Sequence, residues 1–161
     1  MAATIAGLST LGVKFGYAVE NVPGQKPLSF TQLERCNSIS GISLSAEQID
    51  ASALEDYVSR YVSGRQDTGG TWSVTFNTTP EVVAQLEEMI DAYNDGKAEA
   101  TPLRTWFEVW APNNDKAFFV VAQPPQKLPM PEFTQNALQT IEITFTIEEY
   151  KGQDTAIEPI A

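Results

Sequence analysis

Two segments alternate apolar and polar side chains with a period of two. In residues 71–77, Trp72, Val74 and Phe76 alternate with Thr71, Ser73, Thr75 and Asn77. In residues 141–147, Ile141, Ile143, Phe145 and Ile147 alternate with Glu142, Thr144 and Thr146, and Glu148 continues the polar face. A strict two-residue period puts one face in a core and the other outside it, so both segments are predicted strands. Thr105–Ala111 and Ala117–Ala122 flank the turn-rich Pro112-Asn-Asn-Asp115 and read as a hairpin. The run Phe118-Phe-Val-Val121 is apolar on both faces, as in a strand covered on both sides or meeting a partner. Residues 37–44 alternate Ile39, Ile42 and Leu44 with serines, which predicts a strand with a register break at Gly41.

A different period marks residues 80–95. Val82, Val83, Leu86, Met89, Ile90 and Tyr93 recur at helical spacing, and Glu87, Glu88, Asp91 and Asp95 lie away from that stripe. Thr79 suits an N-cap, Pro80 the first helical position, Glu81 the positive end of the dipole and Lys97 the negative end. Gly96 is the expected terminator. Pro124, Pro125, Pro129 and Pro131 force an extended crossing, and glycines and prolines interrupt residues 1–35. The tail 151–161 shows no period. These elements predict a mainly β fold in a single domain, 1–161: a β-sandwich or rolled sheet with one flanking α-helix. Terminal arms are expected at 1–20 and 151–161.

The connector 49–70 fits no regular element, yet it carries Leu54, Tyr57, Val58, Tyr61 and Val62 before the linker that begins at Arg65. A compact domain seldom devotes so long a connector to apolar side chains unless they meet something. The segment reads as an arm that docks on another subunit, and the chain as an assembly protein.

Charge and residue usage narrow the function. Ten basic and 21 acidic residues leave a formal charge of −11. That balance disfavours tight binding to phosphate backbones, which depends on Lys and Arg, but suits a surface that nucleic acid touches without sticking. One cysteine, Cys36, excludes an internal disulfide or a thiolate zinc site. There is no histidine, so the usual nucleophile–base pairs and the commonest metal ligand are missing. No phosphate loop, nucleophile elbow or zinc helix motif occurs. The adjacent pairs Glu55-Asp56, Glu87-Glu88 and Glu148-Glu149 do not set two acids across a cleft. No enzyme, cofactor or metal is expected. The sequence predicts no membrane helix and no signal peptide, hence a cytosolic start. Trp72, Trp106, Trp110, Phe107, Phe118 and Phe119 are candidates for a sugar-stacking platform, although aromatics on amphipathic strands are more often core. If strands such as 141–147 join side by side across subunits, their Thr and Glu face becomes the lining of a channel past which DNA slides.

Several patterns recur in a fixed order. The connector carries Ile49, Asp50, Ser52, Leu54, Glu55, Tyr57, Tyr61, Val62, Gly64, Asp67 and Gly69. A strand ending in Phe76-Asn77, a helix with Val83, Leu86 and Ile90, the segment Arg104–Trp110 and the closing Thr-Ile-Glu-Ile-Thr-Phe-Thr-Ile strand follow. Over residues 37–150 this order resembles the major tail tube proteins of long-tailed, siphovirus-type bacteriophages. The resemblance implies a virion subunit, assembled in the host cytoplasm, that forms hexameric rings stacked into a hollow tube for genome delivery. It implies as partners further copies of the chain, tail-tip or initiator, tape-measure and terminator proteins, and DNA as passing cargo. On this reading Leu54, Tyr57, Val58, Tyr61, Val62 and Arg65 make the ring-to-ring contact. Ser73, Thr75, Asn77, Glu142, Thr144, Thr146 and Glu148 line the lumen. The inner tube of a contractile tail or a type VI secretion-like tube obeys the same physics. A carbohydrate-binding β-sandwich is the alternative from another class.

Overall fold

The computed structural model describes residues 7–161. Seven of its strands form one antiparallel sheet. In chain order these are β1 (Lys14–Val19), β2 (Thr31–Leu33), β3 (Cys36–Ile39), β6 (Thr71–Asn77), β7 (Thr105–Trp110), β8 (Lys116–Gln123) and β9 (Thr140–Thr155). Across the sheet they lie in the order β2-β1-β7-β8-β9-β6-β3. A separate two-stranded ribbon pairs β4 (Ser45–Asp50) with β5 (Tyr61–Asp67), and one helix, α1 (Pro80–Lys97), packs against β1 and β2.

The choice between sandwich and rolled sheet is decided by β9. Its first half pairs with β6, from Thr140 opposite Asn77 to Thr146 opposite Thr71. Its second half pairs with β8, from Thr146 opposite Gln123 to Thr155 opposite Lys116. One 16-residue strand therefore belongs to two leaves, and the sheet rolls over along it. The roll brings Phe15 of β1 to 5.6 Å from Trp72 of β6, although β7, β8 and β9 separate those strands in the sheet.

The alternating apolar faces fill the space inside. Val74, Phe76, Ile141, Ile143 and Phe145 are buried with Phe15 and Phe107 and with Val82, Leu86, Met89 and Ile90 of the helix stripe. Phe107 and Phe145 approach to 4.6 Å between ring centroids. Burying each such side chain contributes roughly 1.5–3 kcal/mol, which makes this cluster the main determinant of the fold. A second cluster lies on the other side of β8, where Phe30, Trp106, Ala117, Phe119 and Val121 pack together. The doubly apolar run in β8 is thus covered on both faces from Phe119 to Val121, while Phe118 stays exposed.

Several boundaries differ from the sequence reading. The predicted strand 37–44 stops at Ile39, and its irregularity falls between Cys36 and Ser38, because Ile42 turns in towards the core instead of continuing the sheet. The connector 49–70 is a β-hairpin that begins at Ser45. The helix runs to Lys97, capped by Ala98, so Gly96 does not end it. Gly96 is buried in the last turn, where an added Cβ would sit 3.1 Å from Val19 and 3.2 Å from the Leu103 carbonyl. Close approach explains that glycine. The last strand extends to Thr155 because two bulges, at Glu148 and Lys151, interrupt its alternation without ending its pairing. Gly152 supplies the positive φ of 74° beside the second bulge. The N-terminal arm expected at 1–20 lies partly outside the described residues, and β1 begins within it at Lys14.

Candidate assembly site

The β4–β5 hairpin stands away from the body of the molecule. Every residue of β4 is exposed, and so is every residue of β5 except Gly64. An isolated two-stranded ribbon is marginal in water, so local polar bonds matter here. Asp50 accepts from the Ser52 N–H at 2.9 Å, and the Ser52 hydroxyl accepts from the Arg60 N–H at 2.8 Å. Asp56 accepts from the Ala53 N–H at 2.8 Å and lies 3.3 Å from the Arg60 guanidinium. The Ser52 bonds hold the Asp50 carboxyl below the usual range.

This lock turns the apolar residues of the tip outward. Leu54 and Tyr57 are fully exposed, Val58 is 78% exposed, and Tyr61 and Val62 are more than half exposed. Arg65 is exposed further along β5. All six residues predicted to make the ring-to-ring contact therefore share one projecting hairpin and are exposed among the described residues. Of the residues that shape its tip, Ser52 entered the sequence analysis only as part of the connector pattern and Asp56 only in an acidic pair, while Arg60 was not singled out. The signal available was the Asp50-x-Ser52 spacing of an Asx turn.

The predicted lumen residues lie on the outward face of β6 and β9. Ser73 is opposite Thr144, with their hydroxyls 3.4 Å apart, and Thr75 is opposite Glu142. Asn77 accepts from Asn37 of β3 at 3.1 Å, which extends the same polar face to the sheet edge. Thr146 lies opposite Thr71. Six of the seven residues thus form one continuous hydroxyl, amide and carboxylate surface. Glu148 stands apart at the β9 bulge, 3.9 Å from Arg104 and within hydrogen-bond reach of Gln123.

The expected C-terminal arm is a strap folded onto the second cluster. Ala156 and Ile157 pack against it. Lys14 reaches Glu158 at 2.7 Å, and Ile160 pairs with the β2 edge, accepting from the Gln32 N–H at 2.7 Å. Beneath the strap lies the fully buried Glu108, whose Oε2 accepts from the Ile157 N–H at 3.0 Å while its Oε1 has no partner. Burial pushes its carboxyl up to about 7, against the smaller opposing effects of that N–H and of Lys26.

A second buried carboxylate, Glu20, is fully used. It accepts from the Arg104 N–H at 2.8 Å, from Trp106 Nε1 at 2.9 Å and from the Gly24 N–H at 3.2 Å. Burial would raise its pKa, but these bonds and the Arg104 charge together hold it low. Both carboxylates make their hydrogen bonds within the chain. Trp72 and Trp106 are buried as well, so a sugar platform is not assembled at those rings. Among the described residues no cluster of Cys, Asp and Glu is placed to hold a metal, and no helix is long and apolar enough to cross a membrane.

Neither a family model nor a curated protein matches the chain. Among solved structures, it is similar to a chain in the cryo-EM structure of the anti-feeding prophage (AFP) baseplate, 6-fold symmetrised. The alignment has a TM-score of 0.54 at 14% identity and covers 98% of both chains. At that identity the likeness is one of fold: the rolled β sheet with its single flanking helix is an architecture shared, over the whole length, with a chain of a phage-like baseplate.

Proposed function

We propose that this chain is a non-enzymatic structural subunit of a phage-type tail, self-assembling into hexameric rings that stack into a tube for genome delivery. The observation that carries the reading is the hairpin, whose hydrogen-bonded tip holds three strongly exposed apolar side chains on an acidic chain. Exposed apolar groups on a preorganised element are what an assembly contact requires, because little conformational freedom is lost on docking. The full-length likeness to a chain of a six-fold baseplate supports the same class. In this tube the polar face of β6 and β9 lines the lumen, where its acidic and hydroxyl groups let DNA pass unbound. The partners are copies of the chain, with tip, tape-measure and terminator proteins at the ends, and its place is the virion tail.

A second reading follows from the baseplate likeness: a subunit that forms a single ring at the base of a tail instead of the repeating tube. Sedimentation separates the two. A tube subunit grows to open-ended lengths with concentration, whereas a baseplate subunit stops at one ring. Leu54→Ser with Tyr61→Ser tests the hairpin in either case. The variant is expected to stay a folded monomer where the parent assembles. Loss of the folded monomer would place these residues in the core and overturn the reading.

A further inference from the structure

The C-terminal strap lies in a seat that the body of the molecule builds for it. Gly16 of β1 has no side chain, and Pro159 packs so close that an added Cβ would meet it at 2.9 Å. The backbone at β2 holds the next residue twice: the Ile160 N–H donates to the Phe30 carbonyl at 3.1 Å, and the Ile160 carbonyl accepts from the Gln32 N–H at 2.7 Å. Opposite Gly16, on β7, stands the fully buried Glu108. Its Oε2 accepts from the Ile157 N–H of the strap, and its Oε1 has no partner among the described residues. A neutral carboxyl tolerates such a place far better than a carboxylate, which needs water or several donors.

We infer that Glu108 is a proton-operated catch for the strap: protonated, it lets residues 156–161 stay closed over β1 and β7, and ionised, it favours an open strap. Opening lets water reach the carboxylate and leaves the edge of β2 unpaired. The catch works within one chain and does not depend on the proposed assembly role. The charged groups around it have partners of their own. Lys14 of β1 holds Glu158 of the strap at 2.7 Å. Lys26, from the loop before β2, donates to the Thr155 carbonyl at 2.8 Å, lies 3.4 Å from Asp154 and covers the Phe119 ring at 4.0 Å. Lys116 of β8 acts on the same Asp154. Lys151 of β9 lies over Trp106 and bonds Glu149, and Arg104 bridges Glu149 and Glu20. Lys26 and the Ile157 N–H favour the carboxylate of Glu108, but burial outweighs both. The chain has no histidine, and burial pushes the Cys36 thiol up to about 11, so neither competes with Glu108 near neutral pH. With the strap closed Glu108 titrates at about 7, against an ordinary value of 4.5 once solvated, so the closed form binds the proton more tightly. Closure is therefore fully favoured below pH 4.5, weakens about tenfold per pH unit above it, and stops changing beyond pH 7.

Amide hydrogen exchange of the whole chain, corrected for the intrinsic rate at each pH, reads the catch directly. Between pH 5.5 and 7 the protection of the Ile157 and Ile160 N–H groups is expected to fall about tenfold per unit and then level off. It should stay below that of the core Phe107 and Val120 amides throughout, as local opening requires. Glu108→Gln, neutral at every pH, should hold the strap's protection flat over the same range. Lys14→Ala, which loosens the strap at Glu158 without touching Glu108, should lower protection by a constant factor and keep the slope. The parent and this second variant decide the matter even if Glu108→Gln fails to fold. Strap amides that exchange no faster than Phe107 and Val120 would mean that the strap leaves only with the whole fold, and would overturn the catch. Protection that is flat or rises with pH in the parent, or a slope that survives in Glu108→Gln, would overturn it as well.

Discussion

The hairpin and the C-terminal strap pose the same physical problem and solve it differently. Each leaves the main sheet, and each carries apolar side chains. The strap finds its partners within the chain: Ile157 packs on the second cluster and Ile160 covers the edge of β2. Among the described residues the hairpin tip finds none, and its polar residues brace the tip itself. One sheet edge is thus closed by the chain itself, while Leu54, Tyr57 and Val58 project at the tip of the ribbon. Edges left open invite pairing, and projecting apolar groups invite docking, so the contrast indicates where the molecule is finished and where it awaits a neighbour.

The sharpest way to break this comparison is to treat both segments alike. Leu54→Ser with Tyr57→Ser is expected to shift the assembly concentration upward by about 100-fold, measured by sedimentation. The monomer's stability should move by no more than about 0.5 kcal/mol, as for other surface sites. On the self-satisfied side the effects should be intramolecular. Glu20→Ala leaves the buried Trp106 Nε1 and two part-buried backbone N–H groups without this acceptor. Chemical denaturation should show a loss of about 3 kcal/mol.

The strap's own signature is pH dependence. Glu108 titrates at about 7 in the folded chain, above its ordinary value of 4.5, so the folded state holds the proton more tightly. The stabilisation is complete below pH 4.5 and is lost as pH rises through 7, amounting to ~3 kcal/mol at most. Glu108→Gln should flatten the stability profile between pH 5 and 8 and exceed the parent's stability at pH 8. Glu20 and Glu149, whose pKa values are lowered, act only on the acid side and leave this window to Glu108. The smallest effect is expected at Gly16, where an added Cβ would meet Pro159 of the strap at 2.9 Å. Gly16→Ala should cost about 1 kcal/mol by overpacking, read from thermal melts, with assembly retained.

How far the sequence displayed this arrangement depended on the range of the forces involved. The helix was legible because its cap, its first-turn proline and its stripe are all local: Thr79 accepts from the Val82 N–H at 3.2 Å, and the stripe residues are buried. Strands β6 and β9 were legible wherever one face is dry. The alternation of β9 vanished after Ile147 because each bulge shifts the parity, so the strand residues 151–155 read as a tail without a period. The hairpin displayed its apolar residues but not its strands, since a ribbon wet on both faces has no alternation to read.

The buried carboxylates were illegible for a different reason. Besides the local Gly24 N–H, Glu20 is satisfied by residues 84 to 86 positions away, and Glu108 by one 49 positions away. No local spacing encodes such bonds. The one hint was that Glu108 shares the strand face of Trp106 and Trp110, a carboxylate between two indoles.

Negative-stain electron microscopy of the purified chain at rising concentration tests the central claim most directly. The account predicts rings with a central hole that stack into hollow tubes, and their absence from the Leu54→Ser, Tyr57→Ser variant under the same conditions. Monomers of the parent at every concentration, or tubes that form equally well without those two side chains, would contradict it.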